Sequence, residues 1–398
     1  MSEGSGSGFK ARSIAAPGTA RAPVAATTMQ GLAVRWRLWR SRQIASPAFR
    51  NLMSRLPLTR WIANRKANHL FRLTTGFVHS QILWLCNETG LFQMLSDKAL
   101  TTAELAVQCD FPPDRMQLLL EQAERLDLVC RAGPDLWMLA DAGAVLAADR
   151  GLREMIRHHD ILYRDLSDPR RLWREAASET ELRHYWAYVR GNHPEDMPDV
   201  SVAPYSALMR ESQAMLADCL LASHDFGRYT SLLDLGGGEG AFLRAVGERH
   251  PALKLQLFDL PAVADRARQH LAMAGLANRS RVHAGNFVTD PVPGDADCVT
   301  LVRILCDHDD DRVRQILTNL RGQLAPGTRI VVAEAMAGPT EGARLAAVYF
   351  SAYFRAMGSG RCRSVAEIRD LLHVAGFRNS RHEITTNPLL ATIVVAEA

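Results

Sequence analysis

The sequence predicts an α/β fold, a parallel sheet covered by helices on both faces, preceded by a mainly helical N-terminal domain. Three observations predict it. From Ser231 onward, short apolar runs alternate with helical stretches, the rhythm of strand–helix–strand units. A glycine cluster, Gly236-Gly237-Gly238-Glu239-Gly240, follows the first of those runs, where a strand hands over to a helix. Upstream, two helical stretches are followed by a hairpin pattern.

The elements follow in order. Residues 1–28 are rich in Gly, Ala, Ser and Pro and carry no apolar period, so a disordered tail is expected. Their Arg-bearing, acid-poor character is also that of a mitochondrial transit peptide. Residues 29–72 form a basic segment. Leu32, Trp36 and Trp39 fall at i, i+4, i+7 among Arg35, Arg37, Arg40 and Arg42, which predicts a basic amphipathic helix ending near Pro47. Such a helix suits an anionic membrane surface, or packs on its own protein. Residues 66–95 predict a longer buried helix containing Phe71, Phe77, Ile82, Trp84 and Leu85.

Thr101 with Glu104 opens the next helix. Another follows Pro112-Pro113 and runs to Asp127. Leu128–Cys130 and Leu136–Met138 then pair around Gly133-Pro134. Helix, turn, helix and hairpin over residues 73–150 make a winged-helix pattern. Residues 151–230 are expected to be a helical connection bearing aromatic and histidine side chains. His158 and His159 are adjacent there, so their side chains diverge and at most one is expected to face a site. In residues 231–398 the strands are expected near 231–235, 254–258, 281–285, 297–304 and 329–334. Residues 380–386 and 390–396 read as a closing hairpin.

Charge and cysteine usage narrow the function classes. Residues 1–87 hold thirteen Lys/Arg and one acid, while the rest holds 34 Lys/Arg and 42 acids. A basic end on an acidic body points to an anionic partner or to a solvated tail. No run of about 18 apolar residues is present and no secretory signal opens the chain. Seven scattered cysteines without a Cys-x-x-Cys pair argue against a metal site or a disulfide framework, and for a reducing compartment. A winged-helix DNA-binding regulator is the rival of another class. Its recognition helix would be residues 112–127, where Asp114, Glu121, Glu124 and Asp127 outnumber Arg115 and Arg125, so no nucleic-acid partner is expected.

The strongest motif is Leu232-Leu233-Asp234-Leu235 running into the glycine cluster. Glycines at a strand-to-helix turn permit a tight turn and close approach of a ligand. The next strand ends in Asp259, 25 positions after Asp234, where an acid can accept both hydroxyls of a ribose. The third strand ends in Gly285-Asn286-Phe287, a corner suited to bracketing an adenine.

These residues resemble the class I methyltransferases, specifically the small-molecule O-methyltransferases with a winged-helix dimerisation domain, over roughly residues 70–398. Within that group the chain is most similar to bacterial hydroxyneurosporene/demethylspheroidene O-methyltransferases of carotenoid synthesis. The stretches that carry the closer match are Phe77–Gln81, His158–Leu166, Tyr205–Met209 and Asp307–Asp310. The resemblance implies a Rossmann-like domain, a homodimer, and S-adenosylmethionine (SAM) as donor. It places SAM on Asp234, Gly236, Gly238, Asp259, Leu260, Asn286, Phe287 and Arg303. It implies a hydrophobic isoprenoid acceptor lined by Phe350, Phe354 and Met357, with another hydrophobic compound, such as a bacteriochlorophyll intermediate, as the alternative. The location implied is cytoplasmic, peripheral to the inner membrane if the basic arm binds lipid.

The resemblance also exposes a departure. Plant-type relatives carry their catalytic base in Leu-His-Asp-Trp, and here that stretch is Leu305-Cys306-Asp307-His308. Cys306 stands at the position of the base and His308 at that of the tryptophan. Three readings stay open: His308 as base, a histidine from the upstream pair His158 and His159, or proton loss through water. Glu334 matches an acid that flanks the base and is expected to orient a histidine or bind nothing. Cys362 stands where a second acid is usual, which makes for a drier pocket.

Overall fold

The computed structural model describes residues 28–174, 179–186 and 213–398. Tyr205–Met209, one of the stretches carrying the resemblance, and the expected tail lie outside them. The chain divides into two compact units, Met1–Val78 and His79–Ala398.

The first unit is helical: α1 (Thr28–Ala45), α2 (Pro47–Arg55) and the start of α3 (Pro57–Glu88). Proline opens both α2 and α3, where a missing N–H costs nothing. Around α1, Leu32, Trp36 and Trp39 do share a side, but Val34 and Leu38 project elsewhere among the arginines, and all five are exposed. The expected amphipathic face is therefore interleaved with charge. The expected buried helix over 66–95 also differs. α3 ends at Glu88, Phe71 and Phe77 are exposed, Ile82, Trp84 and Leu85 are half-buried against the core that follows, and full burial begins at Cys86 and Asn87. Only this last part joins a core.

That core holds α4 (Leu91–Met94), α5 (Thr102–Gln108), α6 (Pro113–Arg125), the hairpin β1 (Val129–Gly133) with β2 (Leu136–Leu139), and α7 (Asp141–Ala148). Thr101 and Glu104 form a reciprocal capping box on α5. Trp137 is fully buried at the centre, its indole N–H donating to Thr102 at 3.0 Å. Next come α8 (Arg150–Asp165), α9 (Pro169–Arg174), α10 (Glu181–Tyr185) and α11 (213–223).

The C-terminal sheet has strands β3 (Ser231–Leu235), β4 (Lys254–Asp259), β5 (Ser280–Ala284), β6 (Cys298–Val302), β7 (Arg329–Glu334), β8 (Arg378–Glu383) and β9 (Thr392–Glu397). Their order is β5-β4-β3-β6-β7-β9-β8. The first five are parallel, and β9 inserts antiparallel between β7 and β8. β3, β6 and the apolar runs of β7 and β9 are buried on both faces, as a sheet between two helical layers requires. The covering helices include α12 (Ala241–Arg249), α13 (Pro261–Met273), α14 (Asp310–Gln323), α15 (Glu341–Met357) and α16 (Val365–Val374). The chain works outward from β3 through β5, then reverses to β6. Such a reversal opens a crevice at the carboxyl ends of the strands, where ligands bind.

Candidate active site

The carboxyl end of β3 turns on three glycines. Gly236, Gly238 and Gly240 have φ of +71°, +58° and +82°, left-handed values that favour glycine. Space excludes side chains as well. A Cβ on Gly236 would lie 2.5 Å from Ile304 Cδ1, and one on Gly237 would lie 2.6 Å from Asp234 Oδ2. At Gly238 nothing lies within 4 Å, so that side of the loop is open. Asp234 braces the turn from below, its carboxylate accepting from Thr300 Oγ1 at 2.6 Å. Burial pushes this carboxyl up to about 7 against the Thr300 bond. Asp234 thus supports the loop from inside the sheet.

Asp259 closes the loop from the next strand. It accepts the Gly238 amide at 2.8 Å and the Leu260 amide at 2.7 Å. Burial lifts its carboxyl to about 6 despite both bonds. Leu260 precedes Pro261 at the start of α13, so the acid sits at a helix N-terminus. On the far side, Phe287 Cε1 is 3.4 Å from the position of a Gly236 Cβ. The Asn286 side-chain oxygen accepts the Val288 amide at 3.1 Å, which closes its own turn and leaves that oxygen's second lone pair and the amide nitrogen for a ligand. Open glycine loop, acid at a strand tip and aromatic bracket together fit an adenosyl group.

The other wall is apolar. Cys306, Tyr353, Phe354 and Met357 are buried in one cluster, with Phe350, Tyr349 and Cys362 packed against it. Phe350 stacks on Phe354 with centroids 5.8 Å apart. Burial raises the Cys306 thiol well above its ordinary range, and Asp307 adds to it, so the thiol stays protonated. The Cys306 amide donates to Glu334 at 2.9 Å. Glu334 is fully buried, and its second oxygen has no partner among the described residues. Burial pushes it up to about 7, with Arg363 opposing. Glu334 therefore orients the backbone of Cys306 and, among the described residues, no histidine. Cys362 donates to the Ala335 carbonyl at 3.4 Å.

The candidate histidines separate. His308 packs on Phe287, rings 6.2 Å apart, on the adenosyl side of the crevice. Burial pulls it down to about 4, with Arg312 and Arg363 adding to the shift. His158 and His159 both meet α15. His158 Nε2 lies 2.8 Å from Tyr353 Oη, and His159 Nε2 lies 2.8 Å from Tyr349 Oη. Both therefore contact the same helix. Adjacent positions diverge, but they straddle one neighbouring helix whose tyrosines, one turn apart, reach both.

A tyrosine pair, one backbone conformation and a buried arginine escaped the sequence reading. Tyr349 and Tyr353 stand beside Phe350 and Phe354 on α15, and their hydroxyls were not singled out. Arg303, expected on the cofactor, has φ +56° and a positive charge that acts on Asp307, Tyr349 and Tyr353. A non-glycine residue in that region is strained, a mark of functional sites. Arg363 is fully buried and donates to the Leu305 and His308 carbonyls at 2.6 and 2.7 Å and to Asp310 at 2.7 Å, fixing the loop that carries Cys306. Its only signal was its place beside Ser364, the cap of α16.

Residues 181–378 match an O-methyltransferase domain family. The chain is 41% identical over 355 residues to a demethylspheroidene O-methyltransferase of Cereibacter sphaeroides, covering 89% of this chain and 93% of that one. It is 38% identical over 362 residues to a demethylspheroidene O-methyltransferase of Rhodobacter capsulatus, covering 90% and 88%. Among solved structures it is similar to a methyltransferase of calicheamicin biosynthesis in its SAH-bound form, with TM-score 0.69, 27% identity, and coverage of 83% and 98%.

Proposed function

The chain belongs to the SAM-dependent O-methyltransferases, and on that premise we propose that it methylates a tertiary hydroxyl of an acyclic carotenoid. The observation that carries the acceptor class is the 41% identity, over nearly the whole of both chains, to a protein named for demethylspheroidene. The apolar wall of Phe350, Phe354 and Met357, with thiols at Cys306 and Cys362 where polar groups are usual, agrees with it. Pigment analysis with purified protein, SAM and a 1-hydroxy acyclic carotenoid tests it.

Methyl transfer from a sulfonium is an in-line displacement. The protein must hold the oxygen against the methyl carbon and take up a proton. When bound, SAM supplies the activated methyl group. Asp259 would hold the ribose through charge-assisted hydrogen bonds, and Phe287 and Ile304, beside Gly236, would flank the adenine. The aromatic face of α15 holds the acceptor and excludes water. Cys306, protonated and neutral, leaves the methyl group to the acceptor oxygen.

The working form is proposed to be a homodimer. Leu70, Phe71, Leu73 and Phe77 of α3 leave apolar surface exposed, which a second copy would cover. A peripheral membrane contact on the cytoplasmic face is also proposed. Residues 29–72 carry ten Lys/Arg and no acid. Trp36, Trp39 and Trp61 are each more than half exposed. No helix among the described residues is long and apolar enough to cross a membrane. An acceptor this apolar resides in lipid, so a surface anchor would bring the enzyme to it.

A further inference from the structure

With a protonated thiol where relatives carry their base, the acceptor's proton needs another destination. Two similar pairs join α8 to α15, His158 with Tyr353 and His159 with Tyr349, each at 2.8 Å. Their surroundings differ. Tyr353 Oη also accepts the Trp186 indole N–H at 2.9 Å. With its own proton given to His158, that hydroxyl is committed on two sides, and the His158 ring lies against Tyr185 at 4.7 Å. Tyr353, His158 and Trp186 form a closed bridge.

Tyr349 is placed otherwise. Among the described residues its hydroxyl has His159 as hydrogen-bond partner, and so keeps capacity for a second. It packs on the cluster containing Cys306 and Phe354. Burial raises the Tyr349 hydroxyl well above its ordinary range against the opposing Arg303 charge, so it stays a neutral phenol, and Tyr163 lies beyond the His159 ring at 6.1 Å. His159 is neutral, since burial lowers it to about 4, so it takes a proton only as the methyl group transfers and gives it up at once.

We propose that Tyr349 and His159 form the proton relay for the acceptor hydroxyl, while the Tyr353–His158–Trp186 bridge sets the spacing of the two helices. The inference rests on O-methylation as the reaction. As the acceptor oxygen bonds the methyl carbon, the sulfonium carbon–sulfur bond breaks and its electron pair stays on sulfur. The electron pair of the acceptor O–H bond stays on the ether oxygen. That proton passes to Tyr349 Oη, and the phenolic proton passes to His159 Nε2. The imidazolium then returns its proton to water, and Tyr349 and His159 regain their starting states.

Steady-state kinetics of Tyr349→Phe, His159→Gln, the double variant and His158→Gln test the relay. Loss of a positioned proton acceptor costs about a hundredfold or more in rate. Tyr349→Phe and His159→Gln should each lower kcat by that much and leave the KM for SAM unchanged, and the double variant should be no slower than either single one. His158→Gln should lower the thermal midpoint but hold kcat within about tenfold. Calorimetric SAM binding shows which variants are folded, and either near-isosteric change alone decides the matter. Unchanged kcat in Tyr349→Phe or in His159→Gln overturns the relay, as do equal kcat losses in His158→Gln and His159→Gln. If the wild type leaves the carotenoid untouched, the acceptor assignment fails, and the same variants are compared on a hydroxyl acceptor that the wild type does methylate.

Discussion

The Asp259 carboxylate accepts the Gly238 amide hydrogen at 2.8 Å, so the acid at the tip of β4 holds the glycine loop of β3 in place. On the proposed reading, the loop and the ribose site form one unit. Charge-assisted hydrogen bonds of this kind are worth roughly 1.5–3 kcal/mol each. Asp259→Ala should weaken SAM binding by about tenfold to a hundredfold, from the lost ribose contacts and the released loop. Unchanged affinity in calorimetry would remove Asp259 from the site.

Cys306 should survive its position. The nucleophile toward a methyl sulfonium is the thiolate, and burial keeps this group a thiol. The intact mass of the protein after prolonged incubation with SAM should show no added methyl group. Cys306→Ala should keep turnover within about tenfold, well short of the loss expected for a proton acceptor. A methylated Cys306 peptide, or a thousandfold loss in the alanine variant, contradicts this.

Glu334 makes stability fall as pH rises. Its folded pKa, about 7, lies above the ordinary carboxyl value of 4.5. Its contribution is therefore fully present below 4.5 and is lost as pH climbs through about 7. Glu334→Gln keeps an oxygen to accept the Cys306 amide and removes the titration. Relative to the variant, the wild type should lose stability steadily from pH 4.5 to 7 in chemical denaturation. A constant difference across that window would show that Glu334 does not carry the shift.

Much of this site was legible before the fold. The five parallel strands announced themselves as apolar runs, and Asp234, the glycines and Asp259 as a spaced motif at strand ends. Local chemistry determines such features, so sequence displays them. Tyr349 and His159 are 190 positions apart, and nothing local in either states that they meet. Arg363 likewise reads as an ordinary basic residue until the fold wraps three acceptors around it. α3 misled for the opposite reason: its apolar residues suggested burial, while their exposure depends on what surrounds a single chain.

The basic arm should respond to charge and salt. Each Lys or Arg near an anionic surface is worth about 1 kcal/mol, within a Debye length. The full chain should co-sediment with phosphatidylserine-containing vesicles at low salt, and a chain starting at Ala67 far less, with SAM binding retained in both. Equal sedimentation of the two would end the membrane proposal.

The central claim concerns the acceptor. Purified protein, SAM and a detergent-dispersed 1-hydroxy acyclic carotenoid should yield a pigment heavier by one CH₂, with the methyl group on the tertiary oxygen by tandem mass spectrometry and one SAH released per ether formed. Unaltered pigment, in a preparation that binds SAM by calorimetry, would contradict the carotenoid assignment.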